Sequence, residues 1–189
     1  VKELLENAVD AGASKVVLRT VGGGMSLIEV QDNGCGIPKE QMKLALSAHA
    51  TSKLTQIEDL DQIATMGFRG EALASIVSVS YVTLSSCEAG QSHGWQLDVT
   101  GEVGDDCQIK PCAMGTGTSI RVADLFYNTK ARRSFLSKPA TEQRLIDEVF
   151  KKVALANPKA AFTLISDKRE LHVEAAQAYE DQQRLQNIM

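Results

Sequence analysis

The stretch Asp32-Asn33-Gly34-Cys35-Gly36-Ile37-Pro38 lies between a β-rich run and a predicted helix. In the run over residues 26–32 the side chains alternate, so that Ile28, Val30 and Asp32 share one side of a strand. The carboxylate therefore ends an otherwise apolar face. A carboxylate in that position needs a hydrogen-bond donor, because it can only accept.

Two donors for the Asp32 carboxylate remain open at this point. In most Asp-Asn-Gly sequences the donor is the backbone of the turn itself. Alternatively, an acceptor at the floor of an apolar slot selects a base with an exposed amino group, such as adenine. Gly34 and Gly36 allow close backbone approach or left-handed dihedral angles under either interpretation.

A helix and a hairpin are predicted before this turn. Residues 1–11 carry apolar side chains at helical spacing, and Gly12 is placed to cap the C-terminus of that helix. The β-rich runs at 15–21 and 26–32 are separated by Gly22-Gly23-Gly24, which is typical of a hairpin with a glycine loop.

The elements after the turn complete an α+β pattern. We predict helices from Pro38 to about Ala50, over 71–79 and over 142–156, strands at 81–86, 94–99 and 118–122, and a final hairpin over 162–173. This order indicates a two-layer sandwich, with a mixed, mostly antiparallel sheet covered by helices on one face. The long polar connection between Thr51 and Thr65 is predicted to be the most mobile segment.

The composition is that of a soluble globular domain. Of the 189 residues, 43% are hydrophobic and 23% are charged, which is ordinary for one domain with one core. No apolar run approaches the roughly 20 residues of a membrane-spanning helix, and no leader is apparent, so we expect neither secretion nor a membrane anchor. The net charge of -4 offers no broad attraction to nucleic-acid phosphates. Since the chain starts inside a predicted helix, we expect that residues precede it.

The cysteines and histidines do not form a metal-binding pattern. No CxxC pair occurs, and the histidines do not complete a ligand spacing. We therefore expect reduced thiols in a cytoplasmic protein at Cys35, Cys87, Cys107 and Cys112.

Glu3 and Asn7 are four residues apart and so project from one face of the first helix. A carboxylate can activate an attacking water, and an amide oxygen is a suitable neutral ligand for Mg²⁺. Without further context, such a pair is usually a solvated helix face.

The stretch Gly67-Phe68-Arg69-Gly70-Glu71-Ala72-Leu73 places two glycines just before a helix, where free N–H groups favour an anion such as phosphate. Most glycine-led helix starts bind no ligand. Thr51, Ser52 and Lys53 add two hydroxyls and an ammonium at the other end of the same polar segment, which could fold over phosphates as a lid. Neither GxxxxGKS/T nor GxGxxG occurs, so the chain lacks both common phosphate-binding loops.

Together and in this order, these motifs resemble the GHKL ATPase superfamily. The resemblance is carried by the helical ExxxN, DNGCGI, the Thr-Ser-Lys segment, GFRGEAL and Gly117-Thr118. Within that superfamily, residues 49–53, GFRGEALASI and the run at 124–133 are similar to the MutL family of mismatch-repair proteins rather than to gyrase, the heat-shock chaperone or histidine kinases. The resemblance implies a GHKL-type (Bergerat) sandwich.

The resemblance also implies roles for individual residues. Glu3 would be the general base and Asn7 would bind Mg²⁺. Asp32 would read the adenine of ATP, with Gly34 and Gly36 at the nucleotide and Thr118 supporting the contact. A lid over about 50–73 would close on ATP, and the residues near its phosphates would be Thr51, Ser52, Lys53, Gly67, Arg69, Gly70, Glu71, Ala72 and Leu73.

The function implied is an ATP-hydrolysing switch that couples nucleotide binding to dimerisation in mismatch repair. Its partners would be a second copy or a MutL-type partner chain, a MutS-like mismatch-recognition protein, a downstream nuclease or helicase, and DNA held weakly and without specificity. A non-catalytic interaction module and another GHKL protein such as a type II topoisomerase are the alternatives, although the run at 124–133 argues against the latter.

The chain departs from the family pattern in three places. The resemblance implies a segment before the ExxxN helix and a second domain that supplies a lysine to the γ-phosphate, and we expect both to lie outside the given residues. We therefore expect an ATPase domain over 1–175, the start of a linker over 176–189, and weak activity of the chain alone. Lys130 stands where relatives usually carry proline. Arg132 and Arg133 could contact DNA or satisfy carboxylates of the fold, and we favour the second.

Overall fold

A computed structural model describes residues 1–47, 72–167 and 169–175. Within them, the strands are β1 (Lys15–Val21), β2 (Leu27–Asp32), β3 (Tyr81–Cys87), β4 (Gly94–Thr100), β5 (Ile109–Cys112), β6 (Gly117–Ala123), β7 (Ala161–Ile165) and β8 (Glu170–Val173). The helices are α1 (Lys2–Asp10), α2 (Met42–Leu46), α3 (Ala72–Val77), α4 (Lys130–Ser134) and α5 (Pro139–Ala156), and a 3-10 turn (Lys39–Gln41) precedes α2.

The described strands form one sheet in the order β5-β4-β3-β6-β2-β1-β7-β8. The pairing of β1 with β7 is parallel, and the other pairings are antiparallel. The predicted mixed, mostly antiparallel sheet is therefore confirmed.

One face of the sheet is buried under α1 and α5. Every second residue of the central strands is buried, and these side chains include Val16, Leu18, Ile28, Val30, Leu84, Ile120, Val122 and Leu164. The helices contribute Leu4, Leu5 and Ala8 from α1 and Ile146, Phe150 and Val153 from α5. The residues between them are exposed or partly exposed, and many are polar, as in the Arg19–Glu29 ion pair. The two-layer sandwich is confirmed.

Glycines lie on both sides of β1, at the end of α1 and in the loop to β2. Gly12 has φ +73°, and the bonds from Gly12 N–H to Val9 O (2.9 Å) and from Ala13 N–H to Ala8 O (3.2 Å) form a Schellman cap on α1. Three further left-handed glycines, at 22–24, make the loop between β1 and β2. Both features agree with the prediction.

The helix after Pro38 is shorter than predicted. Instead of reaching Ala50, α2 ends at Leu46, and Ser47 is extended with ψ 153°. The Ser47 hydroxyl donates to Lys43 O at 2.8 Å, and a serine that bonds the backbone in this way competes with continuation of a helix.

Two elements were missed by the sequence reasoning. β5 contains Pro111 and has little alternation, which is tolerated because it is an edge strand. α4 is only five residues long and buries none of them, so it has no periodic apolar face to detect. Among the helices of the described segments, none combines the length and apolar character that crossing a bilayer requires.

Candidate functional site

A polar stripe runs along α1 and ends at the turn after β2. Its polar members are Glu3 and Asn7, and Ala11, the C-cap residue of α1, continues the same four-residue spacing. Glu3 and Asn7 are half-buried, and neither side chain makes a hydrogen bond or salt bridge within the described residues. At 1.5 Å per residue, Asn7 lies about 6 Å and Glu3 about 12 Å along the helix from Ala11.

Gly34 brings the turn against the end of this stripe. A Cβ added to Gly34 would lie 2.7 Å from both Cβ and the carbonyl oxygen of Ala11, and 3.0 Å from Asp32 Oδ1. The N–H of Cys35 also donates to Ala11 O at 3.0 Å. Only a residue without a side chain allows this approach, so Gly34 places the Asp32 carboxyl beside the C-terminal end of α1.

Asn33 holds the turn in place. Its Oδ1 accepts hydrogen bonds from the N–H groups of Ser14 (2.9 Å) and Lys15 (2.8 Å), and its Nδ2 donates to Ser14 Oγ at 2.9 Å. The side chain therefore ties the turn to the start of β1.

The Asp32 carboxyl is half-buried at the end of the apolar face of β2. Its Oδ1 accepts the Gly34 N–H at 2.7 Å, so the turn supplies one donor, as the simpler interpretation predicts. Burial raises the pKa of Asp32 above its usual value, and hydrogen bonds from the backbone of Gly34 and Thr118 oppose that shift. A half-buried carboxyl whose pKa is raised by burial is one of the features that mark a candidate functional site.

Thr118 lies directly opposite Asp32 in the register of β2 and β6, and opposite Ser86 in the register of β3 and β6. The Ser86 hydroxyl lies 3.0 Å from Gly117 O and 2.9 Å from Thr118 Oγ1, and it accepts the Ile37 N–H at 2.8 Å. When Ser86 donates to Gly117 O, it accepts from Thr118 and Ile37, and all its bonding positions are used.

Ser86 is fully buried and was missed by the sequence reasoning. Its only signal was a hydroxyl on the apolar face of a strand, because its partners lie about 30 to 50 positions away in the chain. Nothing in the local sequence indicates these contacts.

Gly36 and Gly117 allow the backbone segments around Asp32 to approach one another. Gly36 has φ +77°, and a Cβ there would overlap the Cys87 carbonyl; a Cβ at Gly117 would overlap the Asp32 carbonyl. Both positions therefore require glycine, because the turn at Gly36 lies against the end of β3 and the start of β6 lies against the backbone of Asp32.

Of the predicted site residues, the structure brings Asp32, Gly34, Gly36 and Thr118 together around the turn after β2. Asn7 and Glu3 follow along α1 from Ala11, the residue that contacts Gly34. Ala72 and Leu73 form the first turn of α3, where Leu73 packs against the core. The other predicted phosphate-binding residues lie outside the described residues: Thr51, Ser52, Lys53, Gly67, Arg69, Gly70 and Glu71.

Arg132 and Arg133 are exposed on α4, and neither forms a salt bridge within the described segments. The described segments therefore contain no carboxylate that pairs with these arginines, as the favoured interpretation would require. The cysteines are free thiols.

Residues 1–113 match the model of a family described as histidine kinase-, DNA gyrase B- and HSP90-like ATPases. The chain belongs to this ATPase family. It is the GHKL group that the motifs predicted, and the matched residues include the α1 stripe and the turn at Asp32.

Several curated relatives of this GHKL chain are DNA mismatch repair proteins MutL. The chain is 51% identical to that of Actinobacillus pleuropneumoniae over 164 residues, which are 87% of this chain and 26% of the relative. It is 47% identical to MutL of Mannheimia succiniciproducens over 188 residues, which are 100% of this chain and 30% of the relative. The resemblance to the MutL family is confirmed, and the chain spans less than a third of these relatives.

Solved structures agree with this placement. The ATPase domain of Aquifex aeolicus MutL complexed with ADP is 34% identical, with a TM-score of 0.73, and the match covers 99% of this chain and 65% of that one. The N-terminal domain of a DNA repair protein is 22% identical with a TM-score of 0.72, covering 97% of this chain and 53% of that one. The second match shows the fold alone.

Proposed function

We propose that this chain binds ATP together with Mg²⁺, hydrolyses it, and is the nucleotide-dependent switch of a MutL-like mismatch-repair protein. The observation that supports the proposal is the contact of Gly34 with Ala11, which brings the turn after Asp32 against the C-terminal end of the helix that carries Glu3 and Asn7. The proposal joins a carboxylate and an amide on α1 to a half-buried acceptor at the end of β2, which are the groups that a nucleotide with its metal ion requires.

Asp32 is proposed to accept the exocyclic amino group of adenine. One of its oxygens accepts Gly34 N–H, and carboxylate oxygens have further acceptor positions. Thr118 and Ser86 hold the strand opposite it, so the acceptor is fixed before the base arrives. The ADP held by the Aquifex aeolicus relative supports an adenine nucleotide as the ligand.

Asn7 is proposed to hold Mg²⁺. Its half-buried carboxamide has no hydrogen-bond partner in the described segments, and one neutral oxygen suits an ion that keeps several waters and binds phosphate oxygens. When bound, Mg²⁺ would neutralise charge on the phosphates.

Glu3 is proposed as the general base. It lies one turn before Asn7 on the same stripe, and its carboxylate is not committed to any salt bridge within the described residues. It would accept the proton of the water whose oxygen bonds to the γ-phosphorus, while the bond from that phosphorus to the β,γ-bridging oxygen breaks and ADP leaves. Ala72 and Leu73 are proposed to lie near the phosphates.

The proposed partners and domain boundaries rest on the likeness to the MutL family. We propose that nucleotide binding favours a homodimer or a MutL-type heterodimer, and that the switch acts between a MutS-like mismatch-recognition protein and a downstream nuclease or helicase in the cytoplasm. DNA binding would be weak and non-specific. The ATPase domain would cover 1–175, and 176–189 would begin a linker.

Replacing Glu3 tests the catalytic part of the proposal. In the complete gene product, Glu3→Ala should lower the Mg²⁺-dependent ATPase rate by about 100-fold or more, because a general base contributes that much. ATP binding measured by calorimetry should persist. Glu40→Ala, at an exposed acid of the 3-10 turn, is the control, and unchanged turnover in Glu3→Ala would refute the role.

A further inference from the structure

The turn after β6 contains two left-handed residues that are not glycine. Asp124 has φ 50° and Phe126 has φ 62°, and such conformations are unfavourable for residues with a side chain. The Asp124 N–H donates to Ser26 O (3.2 Å), and the Leu125 N–H donates to Met25 O (3.0 Å). A strained turn persists where its surroundings fix it, and here the β1–β2 hairpin does so.

The same turn reaches the C-terminal end of α3. The Phe126 N–H donates to Val79 O at 2.7 Å, and Asn128 Nδ2 donates to Ser78 O at 2.8 Å. Thr129 Oγ1 donates to Asn128 Oδ1 at 3.1 Å, which turns the amide nitrogen of Asn128 towards Ser78. The carboxamide is therefore oriented as well as bonded.

Every carbonyl at the end of α3 and in the two residues after it accepts a hydrogen bond. The last carbonyls of a helix have no partner within the helix, and here the donors come from several elements. The pairs are Ser78 Oγ to Ser75 O, Ser80 Oγ to Ile76 O, Gly101 N–H to Val77 O, Asn128 Nδ2 to Ser78 O and Phe126 N–H to Val79 O. This end of α3 is anchored to the sheet and to the strained turn.

We propose that Asn128 is a positioning residue for the nucleotide reaction, because it fixes the C-terminal end of α3 and thereby the place of Ala72 and Leu73 at the other end. The inference rests on the proposed function, in which those two residues lie near the phosphates. α3 spans Ala72–Val77 and is about 9 Å long, so a shift at one end moves the other.

The test replaces Asn128 by its isostere in the complete gene product. Asn128→Asp removes the donor and faces Ser78 O with a carboxylate. Asn157→Asp is the matched control, because Asn157 Nδ2 donates to Val153 O at 2.8 Å at the C-terminal end of α5, a helix without proposed site residues. If Asn128→Asp does not fold, Asn128→Ala takes its place, since it removes the donor without adding an oxygen.

We expect Asn128→Asp to lower kcat about tenfold, because small displacements of positioning groups cost that much or more. The Kd for ADP, which depends on Asp32, should stay within about twofold of the unaltered protein, which separates alignment from binding. Asn128→Gln, which retains an amide donor, should recover part of kcat. Asn157→Asp should lower thermal stability without changing kcat.

Two results would overturn this inference and leave the proposed function intact. One is an unchanged kcat in Asn128→Asp, and the other is an equal loss of kcat in the Asn157 control, which would indicate a general effect of stability. A complete protein that binds ADP without hydrolysing ATP would instead overturn the proposed function, and this inference with it.

Discussion

At the scale of single residues, the role proposed for Asp32 sets the stability of the fold against the recognition of adenine. Burial raises its pKa, which means that the folded protein favours the neutral carboxyl more than the unfolded chain does. The ionised form that the proposed adenine recognition would use is therefore kept at a cost to folding. The backbone amides of Gly34 and Thr118 reduce that cost without removing it.

Asp32→Asn should separate the two effects. We expect ADP affinity to fall about 10- to 100-fold, the range for losing a hydrogen bond to a charged group. The thermal midpoint of the free domain should not fall, because the neutral amide removes the cost of burying a charge. Calorimetry and thermal unfolding measure the two quantities, with Asp98→Asn, at an exposed carboxylate of β4, as the control.

The pH dependence of stability and of ADP binding is a second test of the role of Asp32. Since the folded-state pKa of Asp32 is raised above 3.8, its contribution to stability is complete below the unfolded-state pKa and is lost as pH rises through the folded-state value. ADP binding runs in the opposite direction and weakens as pH falls through that value. Asp32→Asn should abolish this step in binding, and retention of the step would contradict the assignment.

At the scale of elements, Ser86 joins three parts of the chain around the site. Its hydroxyl lies on β3, its partners Gly117 and Thr118 lie on β6, and Ile37 lies in the turn after β2. The turn that carries Gly36 is therefore held by Ser86 of β3, which lies about 50 positions further along the chain.

Ser86→Ala should lower the free energy of unfolding by about 1–3 kcal/mol, because it leaves the Ile37 N–H and the Thr118 hydroxyl without this partner. Urea denaturation measures the change. Ser85→Ala is the control, since Ser85 lies on the opposite face of β3 and is only half-buried, and we expect it to cost less than about 0.5 kcal/mol. Equal losses in the two variants would contradict the role of Ser86.

At the scale of the whole molecule, the glycine loop between β1 and β2 is a junction of distant segments. The Gly22 N–H donates to Asp167 Oδ2 at 2.7 Å, and a Cβ at Gly23 would overlap the carbonyl oxygen of Pro139 in the first turn of α5. Ser26, just after the loop, accepts a hydrogen bond from Asp124 in the turn after β6. The loop thus fixes how α5 and the β7–β8 hairpin lie against the first hairpin.

Gly22→Ala and Gly23→Ala compare two neighbours with almost the same φ, 63° and 64°. Both should lose about 1–2 kcal/mol of stability from the left-handed conformation. Gly23→Ala should lose about 1–3 kcal/mol more, because its methyl group meets the backbone of Pro139, whereas at Gly22 the nearest atom is the movable Ser26 Oγ at 3.1 Å. Urea denaturation of both variants measures the losses. Equal losses would show that α5 moves aside to accommodate the methyl group at position 23.

The amino-acid sequence by itself determined the local elements. The apolar spacing of α1, its cap at Gly12, the glycine hairpin and the alternation that ends at Asp32 all follow from periodicity and turn chemistry. The sequence also indicated that Glu3 and Asn7 share a face, because a helix fixes which residues lie on one side. It indicated the family as well, because the motifs occur in a specific order.

Only the tertiary structure decided which strands are neighbours and what surrounds the carboxyl. The parallel pairing of β1 with β7, the placement of β6 between β2 and β3, and the contact of Ser86 with Thr118 join residues far apart in the chain. Such contacts depend on complementary burial across the whole core rather than on local preference. For the same reason the anchoring of α3 by Asn128 left no local signal, since its hydrogen bond to Ser78 forms only when the distant segments have packed.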